Sequence, residues 1–291
     1  MGYFEKHPGT VLIIGILGIS LSSIFIKYSS APSTVTAAWR LLWTVILMSP
    51  MVFGKAAVRQ ELQKLPGKYL ALSILSGVFL AIHFAFWFEA LKQTTVASAA
   101  TIVCTEVLWV SLGYCICLKG RMSRKAKAAV AVALLGSFCI ACSDSGAGGS
   151  HLYGDLLALL AAFAVAVYVL LGRVVQEKVT TTVYTYVVYG TCAVVLLCLC
   201  IVQGNNIATH GSRPVVVGLL LAVFSTLLGH SIFSWCLKFY APSFVSAAKL
   251  LEPVVASVLA IFLFWEIPTV LQLLGSGLIL SGVYSYAKME T

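Results

Sequence analysis

Three residues that are costly inside a membrane helix lie close together near the end of the chain. Lys249, Glu252 and Pro253 fall within Ala247–Glu266, which reads AAKLLEPVVASVLAIFLFWE. A charge at the centre of a membrane helix costs about 2.5–3.5 kcal/mol on insertion scales. A proline inside a helix removes one backbone hydrogen bond. Costs of this size indicate either a site for a solute or groups that compensate one another.

The spacing of these residues favours local compensation. Lys249 and Glu252 are three residues apart, so they can pair along one helix. Lys249 then extends toward the cytoplasm and is the local partner that allows Glu252 to lie in the membrane. Pro253 lies deep inside the predicted span, frees the carbonyl of Lys249 and supplies a flexible point. Structural and gating roles both stay open for this group.

A second group of candidates lies in the first half of the chain. His83 and Trp87 are four residues apart and share a helix face, where an imidazole can hydrogen-bond a solute or carry a proton. Glu106 has no basic residue within one turn, so it must face a wet cavity, meet a partner such as Arg40, or be protonated. Trp109 is three residues farther on and is placed to line the same face.

Further aromatic residues extend the candidate set. Trp39 and Trp43 form an aromatic stripe, from which Arg40 faces away as an anchor of the helix. Belts at the membrane surface are the default role of tryptophan in membrane proteins. The predicted substrate-binding residues are His83, Trp87, Glu106, Trp109, Trp39, Trp43, His230 and Trp235, and the predicted gating or structural residues are Lys249, Glu252, Pro253 and Arg40.

Composition identifies the environment in which these residues act. Of the 291 residues, 60% are hydrophobic and only 10% are charged. Soluble domains carry about 25% charged residues, so the chain is predicted to be an all-α integral membrane protein. Spans need about 20 apolar residues. The ten candidate spans are 8–29, 33–53, 68–91, 95–117, 125–142, 151–173, 180–202, 214–238, 243–264 and 268–287.

The distribution of positive charge predicts the topology. The formal net charge is +9, but the basic residues lie in short loops between apolar segments, which indicates membrane orientation rather than nucleic-acid binding. Most of the 19 lysines and arginines fall on the side of the N-terminus, whereas the opposite side holds Lys27, Lys92 and Arg213. Both termini are therefore predicted to be cytoplasmic, in a multi-pass protein of the cell or inner membrane.

Metal and enzyme chemistry are not favoured. The 9 cysteines lie in apolar segments, with no histidine or carboxylate beside them to complete a ligand set, so they are predicted to pack as small apolar residues. No nucleophile motif or HExxH pair is present. An intramembrane enzyme that uses Glu106 is the remote alternative, and a receptor or scaffold is a third. We expect no metal or cofactor, and proton coupling stays open.

The chain is also similar to itself. When the chain is aligned with itself at a shift of 146 positions, several polar residues match, and apolar composition alone does not explain these matches. The aligned pairs are Glu106 with Glu252, Ser123 with Thr269, Gly136 with Gly282 and, within one residue, His83 with His230. Residues 1–146 and 147–291 are thus predicted to be two five-helix repeats. An odd number of spans gives the repeats opposite orientation, as in many secondary transporters.

Three stretches carry a family resemblance. LEPVVASVLAIFLFWEIPTVLQLLGSGLILSGVY (251–284), SSIFIKYSSAPSTVTAAWRLL (22–42) and HFAFWFEALKQTTVASAATIV (83–103) resemble the EamA family of the drug/metabolite transporter superfamily. The resemblance implies a basket of ten helices around a central cavity, lined in the amino-acid-exporting branch by histidine and tryptophan. His83 and Trp87 fall on the matching stretch. Gly120 stands where the second repeat has Glu266, so a role for that acid in the first half is not expected.

These observations predict a secondary transporter for a small organic metabolite. An amino acid or related amine, exported by alternating access, fits an aromatic cavity with few charges. Uptake of an anionic metabolite such as a nucleotide conjugate is the alternative if Arg40 or Lys249 faces the cavity. A choline-like amine is the alternative if Glu106 faces it alone. The partners expected are a small-molecule substrate and the bilayer, with the chain a monomer or homodimer.

Overall fold

The regular structure is helical throughout the described part of the chain. The computed structural model describes residues 8–93, 96–117, 119, 122–144, 152–264 and 269–290. The helices are α1 (Pro8–Lys27), α2 (Ser33–Gly54), α3 (Ala56–Gln63), α4 (Gly67–Gln93), α5 (Val96–Val103), α6 (Glu106–Cys117), α7 (Arg124–Asp144), α8 (Leu152–Val175), α9 (Thr181–Val202), α10 (Ser212–Cys236), α11 (Pro242–Ala248), α12 (Glu252–Phe264) and α13 (Val270–Glu290).

Six of these helices contain segments long and apolar enough to cross a membrane, as counted over the described residues. The segments are Pro8–Ile26, Ser33–Gly54, Gly67–Gln93, Leu156–Val175, Thr181–Val202 and Ser212–Cys236. Glu106–Cys117 and Leu273–Tyr286 are shorter apolar helices. The helical segments follow the predicted spans, but the predicted spans 95–117 and 243–264 are each interrupted. Helix α3, which carries AAVRQELQ, has no buried residue and was not predicted.

The two interruptions are short tight turns. In the first, the backbone N–H groups of Thr105 and Leu108 donate to carbonyls three residues back, at 3.0 and 2.9 Å. The hydroxyl of Thr105 also donates to the carbonyl of Ile102, at 2.7 Å. In the second, Lys249–Leu251 form one 3₁₀ turn between α11 and α12. Backbone hydrogen bonds to the carbonyl three residues back wind the helix more tightly than an α-helix. A new α-helical segment begins after each of these turns.

Proline positions explain several helix starts and correct one prediction. Pro8 begins α1, Pro32 precedes α2 and Pro242 is the first residue of α11. A missing N–H costs little at such positions. Pro253 was predicted to lie deep inside a helical span. The structure places it second in α12, directly after the Lys249–Leu251 turn, where a missing N–H costs little.

Helix α10 changes its winding in the middle. It is α-helical to Leu220, forms a ten-residue π-helix over Leu221–His230 and returns to α-helix over Ser231–Cys236. The hydroxyl of Thr226 donates to the carbonyl of Leu221, five residues back, at 3.3 Å. π-Helical turns are rare and occur often at functional sites. Here the wider turn ends at His230, one of the predicted site residues.

Small residues allow a close helix contact between α7 and α13. A Cβ atom at Gly136 would lie 2.5 Å from the carbonyl oxygen of Gly275, and one at Gly282 would lie 2.7 Å from that of Ala129. Close backbone approach of this kind is typical of membrane helix packing. Small residues of α13 are therefore used for packing inside the chain, although a Cβ atom at Gly277 on that helix would meet no neighbour within 4 Å.

Candidate functional site

Seven of the twelve predicted site residues line one cavity in the centre of the helix bundle. They are Arg40, His83, Trp87, Glu106, His230, Lys249 and Glu252. The cavity has a free volume of about 30 Å³. One water molecule needs about 10–15 Å³ of such free volume. The site is therefore nearly closed in this conformation and holds polar groups without room for a metabolite.

The Lys249 ammonium pairs across the bundle. Its Nζ lies 2.9 Å from Oε1 of Glu106, which is 143 residues away in the sequence, and both side chains are buried. This contact corrects two predictions, because Lys249 was assigned to Glu252 and Arg40 was the suggested partner of Glu106. The pair joins the Lys249 turn, between α11 and α12, to the start of α6. Removing one partner of such a buried pair leaves the other charge uncompensated.

Both carboxylates occupy the same position within an interrupted helix. Glu106 is the first residue of α6, and Glu252 is the first residue of α12. The turns keep nearby backbone N–H groups paired, because those of Val107, Leu108 and Glu252 donate to carbonyls three residues back. The two interruptions therefore place a glutamate at equivalent helix positions, and both side chains line the cavity.

Arg40 is buried and lines the cavity, which differs from the predicted outward anchor. Its Nε donates to Thr226 Oγ1 at 2.7 Å, and its Nη1 donates to Ser22 Oγ at 3.4 Å. Its Cζ lies 4.2 Å from the centroid of the Phe84 ring, a cation–π distance. Hydroxyl groups and an aromatic face thus hold the guanidinium. Its Nη2 is buried and has no hydrogen-bond partner among the described residues.

The two predicted histidines meet in the cavity wall. Their ring centroids are 6.2 Å apart, and Phe84 packs against both rings. His83 Nδ1 lies 2.9 Å from the carbonyl oxygen of Ala161. Because a carbonyl only accepts, this nitrogen carries the hydrogen and Nε2 is left as the acceptor. His230 Nδ1 is buried without a partner among the described residues.

Four predicted tryptophans lie outside the described lining of the cavity. Trp39 and Trp43 donate from Nε1 to the carbonyls of Ile207 and Val215, at 3.2 and 3.1 Å, which ties α2 to the region around the start of α10. Trp109 packs edge-on against Phe163, with ring centroids 5.7 Å apart, and Trp235 packs against Phe239 at 4.5 Å. Of the predicted tryptophans, only Trp87 lines the cavity.

Sequence reasoning missed the hydroxyl residues that position Arg40. Ser22 and Thr226 lie in apolar helices and are buried, with relative exposures of 3% and 0%. Both residue types are common in packed membrane helices, so composition does not single them out. The available signal was the arginine itself, because a buried guanidinium needs several acceptors. The sequence does not say which helices supply them.

A second, larger cavity lies beside the ends of α4 and α9. It has a free volume of about 600 Å³ and is lined by residues that include Ser33, Phe86, Glu89 and Gln203. Glu89 accepts hydrogen bonds from Ser33 at 2.9 Å and from Gln93 at 2.8 Å. Helix α4 presents Phe86 and Glu89 to this cavity and His83 and Trp87 to the central one. One helix therefore separates a nearly closed site from a roomy cavity.

Comparison with known families identifies the class of protein. The model of the EamA-like transporter family matches residues 9–142 and again residues 152–287. The chain belongs to the EamA-like transporter family. This result confirms the resemblance predicted from the sequence. It also makes the chain a multi-pass membrane transporter rather than an enzyme, since the family and its named relatives are transporters.

Individual relatives cover most of the chain at low identity. A probable amino-acid metabolite efflux pump of Salmonella typhimurium is 26% identical over 286 residues, which is 94% of this chain and 92% of that protein. An uncharacterized transporter of Archaeoglobus fulgidus is 24% identical over 243 residues, 82% of this chain and 83% of that one. A solved crystal structure has a TM-score of 0.79 and 17% identity over 98% of each chain, which shows a shared fold.

Proposed function

We propose that this EamA-family transporter exports a small zwitterionic metabolite, an amino acid or a related amine. The supporting observation is the mixture of charges around the central cavity, where Arg40 and Lys249 stand with Glu106 and Glu252. With all four groups ionised, the charges sum to zero, so a zwitterion adds no net charge to a buried site. Arg40 and Lys249 do face the cavity, which is the arrangement expected for an anionic metabolite, but Glu106 and Glu252 beside them offset their positive charge. A choline-like amine was expected only if Glu106 faced the cavity alone.

Transport then proceeds by alternating access between residues 1–146 and 147–291, as two inverted repeats of five spans. The helix contacts support this symmetry. If each span is replaced by its counterpart in the other repeat, the contact between α1 and α10 becomes the contact between α4 and α8. In the same way, α2·α10 becomes α4·α9, and α5·α7 becomes α11·α13. The pairs α2·α9 and α7·α13 map onto themselves. Such packing is expected of two halves that rock about a site between them.

The glycine contacts support the same symmetry at atomic detail. Gly136 meets Gly275 and Ile279, and Gly282 meets Ala129 and Ala133. Each residue in the first contact differs from its counterpart in the second by the same 146 positions that relate Glu106 to Glu252. The histidines differ by one position more, and a π-helix ending at His230 accommodates an added residue.

The two cavities fit one stage of such a cycle. The central cavity of about 30 Å³ is too small for an amino acid, whereas the cavity of about 600 Å³ beside the ends of α4 and α9 is large enough. Movement of α4 against its neighbours would join them. In this proposal the termini are cytoplasmic, the larger cavity opens on the opposite side, and the chain acts in the cell membrane.

Transport assays in liposomes test the substrate class. Purified protein is reconstituted and counterflow of a radiolabelled panel of amino acids and amines is measured. We expect transport of at least one amino acid, reduced about tenfold or more in His83→Ala because the imidazole lines the cavity. His210→Ala, which alters a histidine in the loop before α10, is the matched control. No transport of any amino acid or amine would reject the substrate class, and unchanged transport in His83→Ala would reject the site.

Export and topology need separate measurements. Cells loaded with the identified substrate should lose it faster when the chain is expressed, and a C-terminal fluorescent fusion should report a cytoplasmic terminus. If transport is coupled to protons, an imposed pH gradient should concentrate the substrate inside the same liposomes without any preloaded substrate. Equal substrate concentrations inside and outside, whatever the gradient, would identify a facilitator.

A further inference from the structure

Two buried nitrogen atoms at the central cavity have no hydrogen-bond partner among the described residues. They are Nη2 of Arg40 and Nδ1 of His230, and both residues line the cavity. A buried polar atom without a partner is unfavourable, and more so when the group is charged. Native structures keep few such atoms, so each one needs an explanation, and at a cavity a bound group supplies one.

The guanidinium is held in a way that leaves one of its nitrogen atoms without a partner. Nε donates to Thr226, Nη1 donates to Ser22, and Cζ lies over the ring of Phe84. These contacts fix the orientation of Arg40. Nη2 remains, and its natural acceptor is an anionic oxygen, because guanidinium groups bind carboxylates through short, charge-assisted hydrogen bonds.

The two glutamates at the cavity are not equivalent as acceptors for a cation. Glu106 already binds the Lys249 ammonium at 2.9 Å. Within the described residues, no lysine or arginine nitrogen is recorded in an ion pair with Glu252, which lines the same cavity at the N-terminus of α12. Of the two carboxylates, Glu252 is therefore the one left for an ammonium group that enters from outside.

We propose that the cavity divides a zwitterion between two subsites: Arg40 and His230 bind the carboxylate of the substrate, and Glu252 binds its ammonium group. This assignment rests on the proposed function. His230 contributes in the tautomer that carries its hydrogen on Nδ1. The Glu106–Lys249 pair also lines the cavity, and its two charges satisfy each other when no substrate is bound.

The assignment predicts rejection of ligands that lack either charged group. A site with buried donors rejects an analogue that leaves them unpaired far more strongly than an apolar pocket rejects a missing methylene. Wild-type protein should therefore bind an amino acid more tightly than the amine that lacks its carboxylate. It should also bind it more tightly than the acid that lacks its amine.

Ligand binding to the purified full-length chain tests this division. The probes are phenylalanine and leucine, the amines phenethylamine and isoamylamine, and the acids 3-phenylpropionate and 4-methylpentanoate. Apparent affinities come from ligand-dependent thermal stabilisation in detergent. Arg40→Gln should lower the apparent affinity for the amino acids and the acids about tenfold or more, while the affinity for the amines changes less than about threefold. Glu252→Gln should lower the affinity for the amino acids and the amines and leave the affinity for the acids unchanged.

Matched variants separate recognition from general damage. Arg59→Gln and Glu177→Gln remove exposed charges of the same types and should leave all affinities unchanged. Arg40→Lys keeps the charge but loses the planar fork, so it should weaken the amino acids less than Arg40→Gln does. His230→Gln should weaken the amino acids and the acids, not the amines, if Nδ1 serves the carboxylate.

The outcomes distinguish this assignment from the proposed function. If neither amino acid stabilises the wild-type chain, the amino-acid substrate class is rejected and the subsites with it. If the amino acids bind the wild-type chain but Arg40→Gln and Arg40→Lys weaken amines and amino acids equally, Arg40 is only structural and the subsite assignment alone is overturned. Loss of acid binding in Glu252→Gln would overturn the ammonium subsite.

Discussion

The two interrupted helices solve the same structural problem with different residues. Both α5–α6 and α11–α12 turn tightly and restart at a glutamate, Glu106 in one and Glu252 in the other. Only the second carries a lysine three residues before the glutamate and a proline directly after it. The first has Val103 and Val107 at those places. The turn therefore does not require proline, and the carboxylate at the cavity is the feature that both share.

The difference between the two lies in charge. Lys249 belongs to the second interruption, yet its ammonium is bound by the glutamate of the first. Glu106 thus forms an ion pair that links the two halves of the chain. Glu252 lines the cavity without an ion-pair partner among the described residues. Similar backbones consequently carry an ion-paired carboxylate and one that we propose binds the ligand.

The largest expected effect breaks this division directly. Glu106→Gln leaves the Lys249 ammonium buried without its carboxylate and should lower the free energy of unfolding by about 3–5 kcal/mol. Glu252→Gln should lower it by less than about 1 kcal/mol, because no ion pair is lost. Reversible unfolding titrations in mixed micelles measure both. Equal losses in the two variants would contradict the assignment of unequal roles.

The double variant Glu106→Gln/Lys249→Met is the control for that comparison. Both charges are removed together, so no buried charge is left unpaired and most of the stability should return. A double variant as unstable as Glu106→Gln would show that the loss came from packing around residue 106.

A proline scan of the first interruption should produce the next largest effect. Val107→Pro gives α6 a proline at its second residue, as in α12. It removes only the 3.3 Å hydrogen bond from the backbone N–H of Val107 to the carbonyl of Cys104, which should lower the free energy of unfolding by about 1 kcal/mol. Val110→Pro, one turn later, should cost about 3 kcal/mol or more because it lies inside the helix. The same unfolding titration distinguishes them, and similar costs would show that α6 does not begin at Glu106.

Steric variants of the α7–α13 contact extend the comparison to another pair of equivalent positions. Gly136→Val and Gly282→Val should each lower the free energy of unfolding by about 1–3 kcal/mol, since the added Cβ meets backbone atoms. Gly277→Val on α13 is the control, because open space surrounds it. A neutral result at only one of the two contact positions would break the proposed symmetry.

The smallest effect is expected at the proline itself. Pro253→Ala should change the free energy of unfolding by less than about 1 kcal/mol, because proline has no N–H and alanine at the second residue of α12 loses no backbone donor. Transport by the same variant in liposomes decides whether the flexible point predicted from the sequence exists. A large loss of transport with normal stability would restore a gating role for Pro253.

Much of the fold follows from local sequence. Apolar length places the helical segments, and prolines such as Pro32 and Pro242 mark their starts. The interruption before Glu106 was not predicted, and the hydroxyl of Thr105 that bonds to the backbone there was not a sufficient signal. Threonine does this in some apolar helices and not in others, so sequence alone does not reveal the turn.

For the site, the sequence by itself determined which residues are costly in a membrane and thus worth a function: Arg40, His83, Glu106, Lys249 and Glu252. Only the tertiary structure decided which of them meet. Spacing along one helix allowed Lys249 to reach Glu252, but the packed bundle brought Glu106 within 2.9 Å of its ammonium. Electrostatic attraction depends on distance in space, and chain separation carries no information about that distance once helices from both halves pack together.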